Sequence, residues 1–302
     1  MLSLCFFVLT PNIYAQKIQD KKYPSGSLLS DRIQISPESV FSKFRSAGMK
    51  PVNHVLTNPE KEKVEKAFSV LPPLYQDILK EHLHSISFMD NMPNTALTSP
   101  VETTDSKEKF NITFRAEILY ETISEWATWK ENTGYLKTND SEDYHISVEA
   151  GEMDAIIYVL LHEATHVVDA VLKITPHPEN NEALIQPTQF TRNIWDAINM
   201  PVQEFIIPLL ETTRFRSGKP ISISQAAEVY KALLHTPFVS LYGMASWHED
   251  LAEIATIYHL VEKLHQTFRI SVKKNDKEIY RYEPLKNELV IKRLPQMANF
   301  YE

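Results

Sequence analysis

The sequence predicts an α+β fold: a small mixed sheet early in the chain, one buried helix in the middle, and a mostly helical C-terminal half. Three observations carry this. Residues 85–89 (SISFM) and 110–114 (FNITF) alternate in polarity as strands do. Residues 153–172 are apolar on nearly every side, which marks a helix enclosed by the core. Downstream, 225–234 and 247–264 repeat their apolar residues at helical spacing.

Size and composition bound the rest. The chain has 302 residues, 43% hydrophobic and 23% charged, enough to bury a large core. Single cores stop growing near roughly 250 to 300 residues, so one large domain or two subdomains around a cleft is expected. A formal net charge of -8 argues against a general nucleic-acid binder, whose phosphate contacts need clustered Lys and Arg. Residues 1–15 carry no charge and hold a short apolar run from Leu2 to Leu9, then Ala15 before the polar Gln16 and Lys17. This reads as a signal peptide and implies export to the periplasm or beyond, although the usual basic residue near the start is missing. The run is too short to span a bilayer, and no stable membrane insertion is expected. The only cysteine is Cys5, so thiol catalysis and cysteine metal clusters are excluded from the remainder. No feature of the sequence fixes the oligomeric state.

Taken in order, residues 16–57 hold Pro24, Gly26, Pro37 and Pro51 with few periodic apolar positions and predict a loosely packed arm. The main domain spans 58–302. Its upper part, 58–175, begins with a helix at Asn58-Pro59-Glu60, carried by Val64, Ala67, Phe68 and Leu71 and ended by Pro72-Pro73. A second short helix covers 74–83. The two strand candidates follow, separated by a polar loop at 102–109, and 144–148 is a third candidate. The lower part, 176–302, opens with prolines at 176, 178, 187, 201, 208 and 220 that cut it into short pieces. The two helices come next, and 268–282 reads as a hairpin turning near Asn275-Asp276.

The buried helix contains His162-Glu163-Ala164-Thr165-His166, an H-E-x-x-H motif. Two histidines four residues apart leave one helix face about 6 Å apart along the axis, so both imidazoles can bind one zinc ion. Glu163 lies roughly 100° around from His162, where it can serve a water as general base without being a ligand. A chance match belongs on a polar face. Three ionisable residues inside an apolar helix would each cost desolvation energy unless paired or metal-bound.

A catalytic zinc needs a third protein ligand. The best region is Ser246-Trp247-His248-Glu249-Asp250-Leu251-Ala252-Glu253. Glu249 and Glu253 share a helix face, so one can bind metal while the other orients a ligand histidine. Ser246 and Glu249 also form S-x-x-E, in which Glu249 would only close a capping box. Spacing leaves Glu253, His248 and Asp250 as rivals. Arg214 and Arg216 read as solvated, or as partners for a substrate carboxylate. His177, His235, His259 and His265 read as surface or satisfied core residues. Asp169, three residues past His166, is either solvated or placed to accept from an imidazole N–H.

The segments from His162 to Asp169 and from Tyr242-Gly243 to Glu253 together resemble the gluzincin zinc metallopeptidases, in particular the catalytic domain of anthrax lethal factor and its relatives. There an H-E-x-x-H-x-x-D helix supplies two histidine ligands and the base. An E-x-x-A-E helix supplies the glutamate ligand, and a Tyr-Gly seven residues earlier supplies an oxyanion donor. The resemblance implies a zincin-like metallopeptidase fold and one zinc ion per chain held by His162, His166 and Glu249. It further implies Glu163 as base, Tyr242 as oxyanion donor, and Asp169 and Glu253 as partners of the ligand histidines. It covers residues 85–266 in organisation and some twenty positions in specific motifs, and the long proline-rich interval between His166 and Glu249 departs from it. The activity it implies is hydrolysis of peptide bonds in a peptide or protein substrate, with an extended peptide added to a sheet edge for which 110–114 is the candidate strand. Two alternatives keep the same metal residues: a non-catalytic peptide-binding module, and a zinc hydrolase of a non-peptide amide.

Overall fold

The alternating segments pair with each other. In the computed structural model, which describes residues 23, 27–102, 107–141, 143–178 and 185–301, strands β1 (Val52–Asn53), β2 (Leu83–Asp90), β3 (Ala96–Val101) and β4 (Lys109–Arg115) form one sheet in the order β1-β2-β4-β3. β2 and β4 run parallel and the outer pairings are antiparallel, so the sheet is mixed. Phe88 and Phe114 face each other across the register, with ring centroids 5.3 Å apart. The polar residues of the alternation are buried too, and they satisfy one another across the strands: Ser85 Oγ donates to Asn111 Oδ1 at 2.6 Å, and Ser87 and Thr113 share a hydrogen bond of 3.0 Å. β4, expected as the edge that holds a peptide, is an inner strand; β3 takes the edge beside it. Pro100 near the end of β3 suits an edge, where a missing N–H costs no ladder bond.

The described residues divide into two units. The first runs to Glu121 and includes Asp154–Val171. Besides the sheet it holds helices α1 (Glu38–Ser46), α2 (Asn58–Ser69) and α3 (Pro73–His82), and most of α5 (Ala155–Leu172). The segment expected as a signal peptide lies outside the described residues, as do 103–106 of the expected polar loop.

The arm expected to be loosely packed is instead well packed where it is described. Val40, Phe41 and Phe44 of α1 form a buried cluster with Met89 and Met92. Arg32 is buried and donates to the carbonyls of Leu79 (2.9 Å), Lys80 (2.5 Å) and Leu83, closing the C-terminal turn of α3. Three apolar residues interrupted by Ser and Lys are too few to register as a periodic pattern, yet they suffice to bury one helix face. α2 starts where the sequence places it, with Pro59 in its first turn and a capping box in which the Glu60 carboxylate accepts from Thr57 N–H at 2.6 Å.

α5 begins two residues later than expected and is buried along its length up to Asp169. By length and composition it could cross a membrane, and 83% of it is buried inside the protein.

The second unit comprises Thr122–Met153 and the described residues from Leu172 onward. Helix α4 (Ile123–Asn132) packs on β6 (Tyr144–Glu149), with Asn132 Nδ2 donating to Ile146 O at 2.9 Å. β6 pairs with β10 (Arg269–Lys274), and β10 with β11 (Lys277–Tyr282), in an antiparallel sheet of order β11-β10-β6. The hairpin turns at Asn275 and Asp276, both with positive φ (49° and 59°), a conformation their short polar side chains tolerate. The proline-rich interval yields one minimal sheet of its own, β7 (Trp195–Ala197) with β8 (Met200–Pro201), the strand β9 (Ile221–Ser222) that pairs with the earlier β5 (Tyr135–Leu136), and the one-turn helices α6 (Pro208–Glu211) and α7 (Arg214–Ser217). Helices α8 (Ala226–Leu233), α9 (Trp247–Tyr258) and α10 (Glu288–Ile291) complete the unit. The stretch 247–264 is not α-helical throughout: after Tyr258 the chain widens into a π-helical turn, His259–Lys263.

Candidate functional site

In the first unit, α5 places His162 and His166 on one side, both buried, with ring centroids 5.0 Å apart and planes at 81°. The turn between them is pinned. Thr165 Oγ1 donates back to Leu161 O at 2.8 Å and shares a hydrogen bond of 3.1 Å with the hydroxyl of Tyr75 on α3. Burial pushes the Tyr75 phenol far above its ordinary range; the hydrogen bond shared with Thr165 opposes this and the charge of Asp169 adds to it, so Tyr75 stays a neutral hydroxyl. Asp169 is itself buried, which removes its reading as a solvated residue.

Glu163, next to His162, is buried as well. Its Oε2 accepts a hydrogen bond of 2.6 Å from Thr98 Oγ1 on the edge strand β3. Sequence reasoning did not find Thr98. A threonine in a segment with no recognisable alternation carries no signal of its own; only the fold brings it to Glu163.

In the second unit, Tyr242 lies in a single 3₁₀ turn, Tyr242–Met244, just before α9. Arg216 holds this turn: its Nη1 donates to Met244 O and to Asn199 O, both at 2.7 Å, and Glu211 pairs with it at 3.1 Å. Arg214 Nη1 donates to Thr133 O at 2.7 Å. Both arginines are therefore structural ties and not solvated surface residues. The Tyr242 ring meets Phe215 edge-on at 5.4 Å, and the Lys130 ammonium lies 4.5 Å from its centroid.

The N-terminus of α9 carries the four side chains weighed as a third ligand. Asp250 is fully buried, accepting from Arg293 at 2.9 and 2.7 Å and from Trp195 Nε1 at 2.8 Å. Glu253 pairs with Lys130 at 2.9 Å and accepts from Ser240 Oγ at 2.6 Å. His248 has Thr175 Oγ1 at 2.8 Å from Nδ1 and the Trp247 indole N–H at 3.0 Å from Nε2. These partners tie Asp250, Glu253 and His248 into the packing of the unit. Glu249 is buried, and its backbone N–H donates to Ser246 Oγ at 3.3 Å, so Ser246 caps the helix.

Buried histidine and glutamate groups that could bind a metal ion are thus present: His162, His166 and Glu249. Two imidazoles and a carboxylate are a donor set that suits zinc and the first-row transition ions better than calcium or magnesium, which prefer oxygen alone. No protein-family model matches the chain, and neither the curated proteins nor the solved structures provide a significant match.

Proposed function

We propose that the protein is an exported zinc metallopeptidase of the gluzincin type with a zincin-like fold, in which His162, His166 and Glu249 hold one zinc ion. The observation that carries this reading is the buried pair His162 and His166 on one side of α5, with the adjacent Glu163 carboxylate held by Thr98 at 2.6 Å. Burying three ionisable side chains within one apolar helix is costly unless a ligand or partner compensates, and a cation shared by the imidazoles does so. That Glu249 and Tyr242 serve the same centre rests on the spacing of the two sequence motifs.

Zinc at this centre supplies Lewis acidity, polarising a carbonyl and lowering the pKa of water towards roughly 7. The side chains do the rest. Glu163 takes a proton from the attacking water and later delivers it to the departing amine. Its hydrogen bond from Thr98 keeps one carboxylate oxygen fixed while the other works. Tyr242 donates its hydroxyl to the oxygen on which negative charge develops. Asp169 and Glu253 orient the ligand histidines, and an extended peptide runs along the outer edge of β3.

The test is hydrolysis of a mixed-peptide library by the parent and by Glu163→Gln. The parent should cleave peptides in its zinc-loaded form, and Glu163→Gln should keep its metal while losing at least about a thousandfold in turnover. Residual cleavage within tenfold of the parent removes Glu163 as the base; no cleavage by a zinc-loaded parent leaves the peptide-binding module or the non-peptide amide hydrolase.

A further inference from the structure

Lys130 is an ammonium buried in the second unit that the mechanism above does not use. It stands at the eighth position of α4, only 8% exposed, where helical periodicity calls for an apolar residue. Its Nζ pairs with Glu253 at 2.9 Å, lies 4.5 Å from the Tyr242 ring centroid and lies 5.3 Å from the Trp126 ring centroid. Next to it, burial pushes the Glu131 carboxyl above its ordinary range, against the opposing effects of Tyr230 and Lys130, while Tyr230 donates to Glu131 at 2.5 Å. The carboxylate that pairs with Lys130 is that of Glu253.

A buried lysine and glutamate together are no more stable than two well-packed apolar side chains, so fold stability alone does not explain the pair. The neighbours do. Glu253 anchors the ammonium, and the ammonium in turn presents its charge to the negative face of the Tyr242 ring. Phe215 meets the ring edge-on, and Arg216 fixes the backbone of the same turn. Tyr242 is thus held by a cation on its face, an aromatic edge and a tethered main chain, all within one unit.

The geometry points to Lys130 as a positioning residue that clamps the Tyr242 ring through a cation–π contact, with Glu253 as its anchor. Its bearing on catalysis rests on the peptidase reading, whereas the clamp itself does not. Removing the cation frees the ring to sample other orientations, and the loss falls on the step in which the Tyr242 hydroxyl must meet developing charge, not on substrate binding.

Two variants test this. Lys130→Met removes the cation and strands the Glu253 carboxylate; Lys130→Met with Glu253→Gln removes both charges and keeps the fold from suffering an unpaired buried charge. Both should lose about tenfold in kcat with KM within about twofold of the parent, as expected for a contact of cation–π strength that matters in the transition state. The second readout needs no metal: in full-length metal-free protein carrying tyrosine labelled with ¹³C at Cζ, the Tyr242 resonance, assigned with Tyr242→Phe, should move or broaden in both variants. A Tyr242 resonance that stays in place, or recovery of kcat in the double variant, overturns the clamp. A shifted resonance in a chain that cleaves no peptide retains the clamp and rejects the peptidase reading.

Discussion

The buried charges show how single residues divide between architecture and chemistry. Glu60 is architectural. Burial alone would raise its carboxyl, but hydrogen bonds from Tyr120, Thr57 and His54 outweigh it and bring the pKa down to about 2 from an ordinary 4.5. Because the folded value lies below the unfolded one, the carboxylate stabilises the fold above pH 4.5, and that stability is lost as pH falls through the folded value near 2. Its contribution at neutral pH is of the order of 2 kcal/mol after allowance for solvent screening. Glu60→Gln should lower stability by about that amount at pH 7 and by much less at pH 2.5, measured by urea denaturation at both values. An equal loss at both would show that the charge of Glu60 is not what stabilises the fold. The residues of the motifs were legible in the sequence because their chemistry is stereotyped: His162, Glu163 and His166 announce themselves at fixed spacing. Thr98 and Lys130 were not. A threonine and a lysine are ordinary surface residues until the fold encloses them.

At the scale of elements, legibility followed hydrophobic periodicity. α5 was found to within two residues at its start, because a buried helix needs apolar side chains all round. α2 was found from its cap and proline. β2, β4 and the β10–β11 hairpin were found from alternation and turn residues. α4 was missed for a physical reason: its buried positions are Ile123, Trp126, Ala127, Lys130 and Glu131, a helical series whose last two members are charged. The pairing of Lys130 with Glu253, and the bond from Tyr230 to Glu131, make those positions tolerable, and neither partner is near in sequence. β3 was missed because Ala96–Val101 shows no recognisable alternation of polar and apolar residues. That strand also carries a testable consequence, since it delivers the hydroxyl that holds Glu163. Thr98→Val keeps the shape and β-branching of the side chain while removing the donor. It should leave the melting temperature within a few degrees of the parent and reduce kcat by about tenfold, the usual cost of losing such a supporting contact. A variant with parental kcat would mean that Glu163 is positioned without β3.

For the whole molecule, the α+β class and its small sheets follow from the sequence, while the division of the chain does not. The first unit takes its sheet from one part of the sequence and α5 from another, with Thr122–Met153 belonging elsewhere. No composition shift marks those crossings, because a unit is defined by long-range packing that local patterns do not encode. The motifs of the proposed site were visible in the sequence for the opposite reason: each is local, with His162, Glu163 and His166 on one helix and Tyr242 and Glu249 at the start of another. In the proposed function, His162, His166 and Glu249 hold a single zinc ion. Elemental analysis of the purified protein, beside Glu249→Ala and Glu253→Ala versions shown to be folded by circular dichroism, tests it most directly. About one zinc per chain is expected in the parent and in Glu253→Ala, and little in Glu249→Ala, because three protein ligands are what a catalytic zinc requires. A folded parent that binds no zinc, or a Glu249→Ala protein that keeps it, would rule out a zinc ion held by His162, His166 and Glu249.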